Sequence, residues 1–486
     1  MKAVSPVVPN YVDGRWIESI STECLEVINP ATREQLAIVK PAAKAEVDEA
    51  VRAAKRAFTQ WRQTPPIVRA RYFFKLRELL ERDFEEISQI LTSENGKTIA
   101  EARGSVRRGI ENVEVACGVP SLMQGANLED VASGVDCEVV RQPLGVFSCI
   151  TPFNFPAMVP LWFFPLAVAC GNTFVVKPSE QTPMSQKKIF ELVDEVGFPP
   201  GVINLINGAG DAARALIANP DVVGISFVGS SKIAESVYRE ASAKGKRVQA
   251  LGGAKNFVVV MPDCDLDKSV ANLIDSIYGC AGERCLAASI VLTVGDIHEP
   301  LKRKLVEAAK KLKIGNGLSE SVTLGPVISQ KHKERVISYI EQGIKDGAAL
   351  VLDGRKPQVA GNLRGFFLGP SVFDNVTPEM TISREEIFGP VACLMKVNDI
   401  DEALRVIQQG EYGNATSIFT QSGKAVRKFK YEAGISMIGV NIGVPAPMAF
   451  FMFGGAKRSF FGDLKAYGRD GIEFYTDKRI IISRWF

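Results

Sequence analysis

Two textures divide the chain. Near its start, apolar residues recur three and four positions apart among Glu, Lys and Arg, from Ala45 to Trp61 and again from Arg69 to Gly96. That period predicts amphipathic helices that bury one face. A third helix is predicted from Ile99 to about Cys117, and its Arg103, Arg107 and Arg108 read as solvated side chains or partners of nearby glutamates. Ahead of these helices, residues 11–40 read as paired strands, with Trp16-Ile17 and Leu25–Ile28 forming an N-terminal hairpin that ends at the turn Asn29–Thr32.

After Cys137, short apolar runs alternate with helical patterns, the texture of a parallel α/β sheet. The predicted strands are Gly145–Ile150, Thr173–Lys177, Val202–Ile206 and Gly224–Val228, with helices Met184–Val196 and Asp211–Asn219 between them. No charge interrupts Met158–Val176, but Pro160, Pro165, Gly171 and Asn172 do. The run is therefore predicted as a buried helix to Cys170, a Gly-Asn turn and a strand, not as a membrane span. Beyond Cys285 the α/β texture repeats, with helices His298–Leu312, Lys331–Gly347 and Ile400–Gln409 and strands near Gly365–Phe367 and Ala392–Lys396. This second half reads as a separate domain. The tail from Phe460 closes on the apolar strand Arg479–Phe486, an edge of the kind that pairs with another chain.

Composition narrows the function. The 486 residues, 46% hydrophobic and 23% charged, suffice for two or three domains of ordinary size. A net charge of +3, with no basic run interleaved with aromatics, argues against nucleic acid and anionic lipid and in favour of a small-molecule partner. Nine scattered cysteines without a CxxC pair point to reduced thiols in a cytoplasm, with neither a disulfide framework nor a zinc knuckle. The first ten residues lack the apolar segment of a secretory signal. Only His298 and His332 are present, both in charged surroundings and expected in solvent, so a Ser-His-Asp triad, a cysteine-hydrolase pair or a histidine-rich metal site has little to be built from.

Three predicted strands end in chemically suggestive residues, Thr151–Pro156, Lys177–Glu180 and Gly229–Ser231, which would line one crevice. Gly229, Ser230 and Ser231 before a helix offer free N–H groups and a positive dipole end to a diphosphate, although no G-x-G-x-x-G is present. Lys177 and Glu180 suit ribose hydroxyls, the carboxylate also repelling a 2′-phosphate. The candidate nucleophile is Cys285, preceded by Arg284 and surrounded by Gly279, Ala281, Gly282, Ala287 and Ala288. A neighbouring guanidinium or unpaired N–H groups are expected to lower its thiol pKa towards neutrality. Cys280 reads as an ordinary buried cysteine. The loop Glu385–Pro390 presents Phe388 and two acids to a ligand.

Taken in order, Pro152–Pro156, Lys177–Glu180, Phe227–Ser231, Gly282–Cys285 and Glu385–Pro390 closely resemble the aldehyde dehydrogenase superfamily, over nearly the whole chain. The resemblance implies an α/β fold with a modified Rossmann NAD domain (residues 1–120 and 142–251), an α/β catalytic domain (252–445) and a small β oligomerisation element (121–141 and 460–486) that joins subunits into a dimer or tetramer. It implies that Cys285 attacks the aldehyde, that Asn154 and the Cys285 N–H hold the oxyanion, and that hydride passes to nicotinamide. It places Thr151, Phe153, Lys177, Glu180, Gln181, Gly229, Ser230, Gly252, Glu385 and Phe388 around NAD. One departure stands out: Leu251, in Leu251–Asn256, occupies the position where hydrolytic members carry a general-base glutamate. A thioacyl-enzyme without that base awaits a better nucleophile, the thiol of coenzyme A. The chain thus looks like the CoA-acylating methylmalonate-semialdehyde dehydrogenases, with further matches at Arg108–Glu114, Gly253–Asn256 and Gly443–Phe450. In that group two arginines bind the substrate carboxylate, and they map onto Arg108 and Arg284. Ala234, where many dehydrogenases have glycine, is a second departure. The alternatives are an ordinary NAD-dependent aldehyde dehydrogenase releasing free acid, with Glu283 or Glu385 as base, and a binding protein that kept the fold and lost the chemistry.

Overall fold

The computed structural model describes residues 5–486. Two α/β sheets make up most of the structure, the chain passing from the first to the second between Leu251 and Asn256. The first sheet has eight strands, in the order Phe460–Phe461, Arg247–Leu251, Val222–Val228, Val146–Ile150, Thr173–Lys177, Ile203–Leu205, Asn10–Val12, Arg15–Ile17. Its central strands run parallel and are almost wholly apolar because helices cover both faces. The second sheet has seven strands between Asn256 and Val440, all parallel but for the antiparallel edge Ala349–Leu352. The uncharged run folds as predicted, into helix Met158–Ala169, a turn, and strand Thr173–Lys177. Asn172 fixes that turn by accepting the N–H groups of Leu144 and Gly145 on its side-chain oxygen. Among the described residues no helix is long and apolar enough to cross a membrane.

Several sequence-based expectations need correction. The two N-terminal strands do not pair with each other. Arg15–Ile17 pairs with Asn10–Val12 at the edge of the first sheet, whereas Leu25–Ile28 pairs with Gln35–Val39 in a separate small sheet. The helix expected from Arg69 to Gly96 is two, Pro66–Arg82 and Phe84–Asn95, broken at Asp83, and Gly96 closes the second with a left-handed φ of 94°. Gly365–Phe367 is not a strand; the backbone lies against Pro30 and Ala31, and the sheet strand begins at Ser371. The tail from Phe460 is not one element. Phe460–Phe461 joins the first sheet beside Leu251, Gly468–Tyr475 is helical, and Thr476–Arg484 alone pairs with Val135–Pro143, which in turn pairs with Ala126–Ala132. Neither histidine is solvated. His298 is buried between Thr293 Oγ1 at 2.7 Å and Asp374 Oδ1 at 2.9 Å, and His332 packs under the Phe388 loop.

Candidate active site

Cys285 ends a turn that L-residues do not adopt freely. Cys280, Ala281 and Gly282 follow one another at φ 52°, 53° and 74°, all left-handed. Such a run persists only where its surroundings hold it. Glu101 accepts the Cys280 N–H at 2.6 Å, and a Cβ on Gly282 would lie 2.1 Å from the Gly389 carbonyl. Beyond the turn, the carbonyl of Cys285 accepts one N–H from Asn256 and one from Asn414, each at 2.9 Å. The Cys285 backbone is therefore fixed from three directions while its side chain reaches a cavity of about 430 Å³.

That cavity brings together residues far apart in sequence. Phe155, Met158, Trp162, Phe453 and Tyr467 give it apolar walls, and Arg108 and Arg284 both line it with Cys285. Arg284 lies folded over Gly279, where a Cβ would meet its guanidinium at 2.6 Å, with Nη2 3.6 Å from Cys280 Sγ and Nη1 3.8 Å from Asp275. Arg108, on the Ile99–Cys117 helix, bonds Glu111 at 2.8 Å and the carbonyls of Ala446 and Pro447 at 3.2 and 3.3 Å. It is no free surface arginine. The thiol does not follow expectation, however. Burial, reinforced by the Glu386 carboxylate, pushes the Cys285 pKa up to about 12 against the opposing pull of Arg284. Arginine adjacency in sequence does not overcome desolvation by burial.

Asn154, buried on the loop after strand Val146–Ile150, donates from Nδ2 to the Glu283 carbonyl at 2.9 Å, just before the nucleophile. An amide nitrogen carries two hydrogens, so one N–H remains for an oxyanion. Leu251 is buried in the apolar cluster that also holds Leu286 and flanks Cys285, and no carboxylate occupies its position. Glu283 does not line the cavity. Its carboxyl is buried on the far side of the turn, accepting Ile328 N–H at 3.1 Å with His332 Nε2 at 3.4 Å, and burial holds its pKa well above the usual carboxylate range.

The three strand ends form one crevice. Thr151 N–H donates to the Lys177 carbonyl at 3.1 Å, and Gly229 N–H to that of Leu251 at 3.0 Å. Lys177 is buried, its ammonium 3.6 Å from Glu180 and its pKa lowered by desolvation, with Glu180 opposing. Gln181 N–H bonds the Ser179 hydroxyl at 3.3 Å, which places it on the same turn. Ser230 precedes a regular helix starting at Ser231, and Ala234 is accommodated wholly buried within it. Two glycines clear the floor: a Cβ on Gly252 would lie 2.7 Å from Ser231 Oγ, and one on Gly229 2.5 Å from the Phe227 ring. Missing Cβ atoms, the helix start at Ser231 and a Lys–Glu pair at the strand ends fit a dinucleotide's diphosphate and ribose.

The cofactor loop needs one reassignment. Glu385 is exposed and accepts the Tyr339 hydroxyl at 2.6 Å, whereas Glu386 turns inward, accepting Ala254 N–H at 2.8 Å, with its other oxygen 2.4 Å from a Cβ built on Gly253. Burial pushes its pKa up to about 7. Glu386 is the acid that faces the crevice, and adjacency to Glu385 in sequence hid it. Phe388 adopts φ 60°, meets Phe153 edge-on at 6.0 Å between centroids, and offers its carbonyl to His332 Nε2 at 2.7 Å.

An open parallel sheet with glycines at its strand ends, joined to a second α/β sheet whose preceding turn presents a cysteine beside an amide donor, is the architecture of a dinucleotide-dependent enzyme class. The chain belongs to the aldehyde dehydrogenase family: the sequence profile described as "Aldehyde dehydrogenase family" matches residues 16–481. It is similar to malonate-semialdehyde dehydrogenase 2 of Geobacillus kaustophilus, 54% identical over 98% of each chain, and to malonate-semialdehyde dehydrogenase of Halalkalibacterium halodurans, 52% identical over 99% of each. The structure superposes on methylmalonate-semialdehyde dehydrogenase from Oceanimonas doudoroffii with TM-score 0.97 and 46% identity, covering 99% of this chain and 98% of that one. It also matches a putative methylmalonate-semialdehyde dehydrogenase from Sinorhizobium meliloti complexed with NAD, with TM-score 0.98 and 41% identity, covering 100% and 99%.

Proposed function

We propose that the protein is an NAD-dependent, CoA-acylating dehydrogenase of short semialdehydes, methylmalonic or malonic, yielding an acyl-CoA such as propionyl-CoA or acetyl-CoA with loss of CO2. The carrying observation is a single cavity that holds Cys285, Arg108 and Arg284 and contains no carboxylate at position 251. The similar relatives that act on such semialdehydes support the reading. The two guanidiniums bind the substrate carboxylate and lay the aldehyde carbon against Cys285. The Cys285 thiol loses its proton to solvent water and its sulfur bonds to that carbon, the C=O π pair moving to oxygen; the alkoxide so formed is held by the free Asn154 N–H and the Cys285 N–H. Bound NAD would supply the acceptor for the hydride on that carbon, leaving a thioester on Cys285; the β-carboxylate of that thioester then departs as CO2, its C–C bonding pair passing to the α-carbon, which takes up a proton from water, so that an acetyl or propionyl group remains on the sulfur. Both bases available to a hydrolytic alternative are displaced, Glu385 at the surface and Glu283 behind the turn. Leu251 stands in the third place, and the carboxylates that line the cavity are engaged elsewhere, Glu101 by Cys280 N–H, Glu111 by Arg108 and Asp275 beside Arg284, so the thioester passes to the thiol of coenzyme A, which expels the Cys285 thiolate.

Rapid mixing with NAD and malonic semialdehyde but no CoA is expected to give a burst of about one NADH per site, then slow release, with CoA accelerating later turnover. A steady CoA-independent rate yielding free acid overturns the acylating assignment, and Leu251→Glu is expected to shift the enzyme towards that behaviour.

The protein assembles as a homo-oligomer, dimer or tetramer, through strand Thr476–Arg484. That strand is the outer one of its sheet, with Ile480 and Ile482 each 69% exposed, a surface that a second copy covers. Light scattering should find no stable monomer, and Ile480→Asp with Ile482→Asp should release one.

A further inference from the structure

The short segment Glu94–Glu101, between helices Phe84–Asn95 and Ile99–Cys117, touches both halves of the reaction centre. On one side, Asn95 Nδ2 donates to the Phe153 carbonyl at 3.0 Å, and Lys97 Nζ donates to the Asn154 carbonyl at 2.6 Å while lying 3.8 Å from the Phe155 ring centre. On the other side, Glu101 accepts the N–H of Cys280, five residues before the nucleophile, and Ile99 N–H donates to the Gly317 carbonyl at 2.8 Å. The approach to the catalytic domain is so close that a Cβ on Gly317 would lie 2.2 Å from the Lys97 carbonyl oxygen, and one on Gly325 2.0 Å from that of Gly96. Lys97 itself is only 2% exposed. A buried ammonium is costly unless its surroundings reward it, and here it meets a carbonyl, an aromatic face and the carboxylates of Glu101 and Glu283. The charge is spent on the one loop that carries the amide donor.

We infer that this segment is a clamp that sets the distance between the Asn154 amide and Cys285, with Lys97 the positioning residue for Asn154 and Glu101 the positioning residue for the strained turn. Lys97 stands outside the cavity and fixes the backbone from which the Asn154 side chain extends, and Glu101, at the cavity wall, fixes the backbone from which Cys285 extends. The inference rests on the roles given above to Cys285 and Asn154. It adds that oxyanion geometry is enforced from a third segment, which the sequence presents as an ordinary helix C-terminus.

The test is a double-mutant cycle on the NADH burst rate with propanal, a substrate that makes no use of the two arginines. Lys97→Met is expected to slow the burst about 10²-fold, the cost of a displacement of roughly 1 Å at a reacting centre, with KM for propanal nearly unchanged. Asn154→Ala should lose about 10²–10³-fold. If Lys97 acts through Asn154, the double variant loses no more than Asn154→Ala alone. Gly317→Ala, which presses on the same backbone from the catalytic domain, provides a second route should Lys97→Met fold poorly, and its loss should likewise vanish in the Asn154→Ala background. Losses that multiply in both double variants, or single variants within threefold of wild type, overturn the clamp. A wild-type enzyme that shows no burst at all overturns the reading of Cys285 and Asn154 instead.

Discussion

The strand ends around Gly229 and Gly252 and the cavity that holds Cys285 are built by opposite means. The crevice is made of backbone: N–H groups at strand ends, with Gly229 and Gly252 present because a side chain would collide with the Phe227 ring or Ser231. The cavity is made of side chains, contributed by helix Ile99–Cys117, helix Met158–Ala169, the Cys285 turn and the loops around Ala446 and Phe453. A backbone site depends on local conformation, so it tolerates change outside a few glycines. A side-chain site depends on how distant segments dock, so selectivity for the acyl group is concentrated in residues that no local motif joins.

The largest expected effect falls on the cavity side. Cys285→Ala should lower turnover at least about 10⁴-fold while leaving the crevice able to bind NAD; retention of a tenth of the activity, or an equally dead but folded Cys280→Ala, would remove Cys285 as nucleophile. Next come the two arginines. A charge-assisted bond to a carboxylate is worth ~1.5–3 kcal/mol, about 10–150-fold, and the loss should appear only for charged substrates. The ratio of kcat/KM for malonic semialdehyde over propanal should therefore fall in Arg108→Leu and in Arg284→Leu, and an unchanged ratio in both would show that neither reads the carboxylate.

On the crevice side, Glu180 should favour NAD over NADP by roughly a hundredfold, through hydrogen bonds gained by one and repulsion suffered by the other. Equal efficiency with both coenzymes would place Glu180 outside the ribose site. The smallest effect concerns the thiol itself. Since burial raises the Cys285 pKa to about 12, the thiolate fraction of the free enzyme grows with pH across the accessible range. Alkylation by iodoacetamide should accelerate about tenfold per pH unit from pH 7 to 9. A plateau below pH 8 would mean that Arg284 prevails over burial after all.

The sequence by itself determined what is local. Short apolar runs marked the parallel strands, Pro165 and Asn172 argued against a membrane span, and residue types at strand ends marked the crevice, because a strand's end and a glycine's permissiveness are properties of a few consecutive residues. Leu251 was legible as a missing base for the same reason. What only the tertiary structure decided is which groups face inward and what they cost. Glu385 and Glu386 are neighbours with opposite fates, one on Tyr339 in solvent and one against Ala254, because the turn at Phe388 directs them to opposite sides. Arg108 reaches the cavity only because its helix docks beside helix Met158–Ala169, and Lys97 is buried and His332 half-buried although their surroundings in sequence are polar. The Cys285 thiol is raised, not lowered, because desolvation is set by everything packed around the sulfur, whereas the chain order records only the arginine beside it.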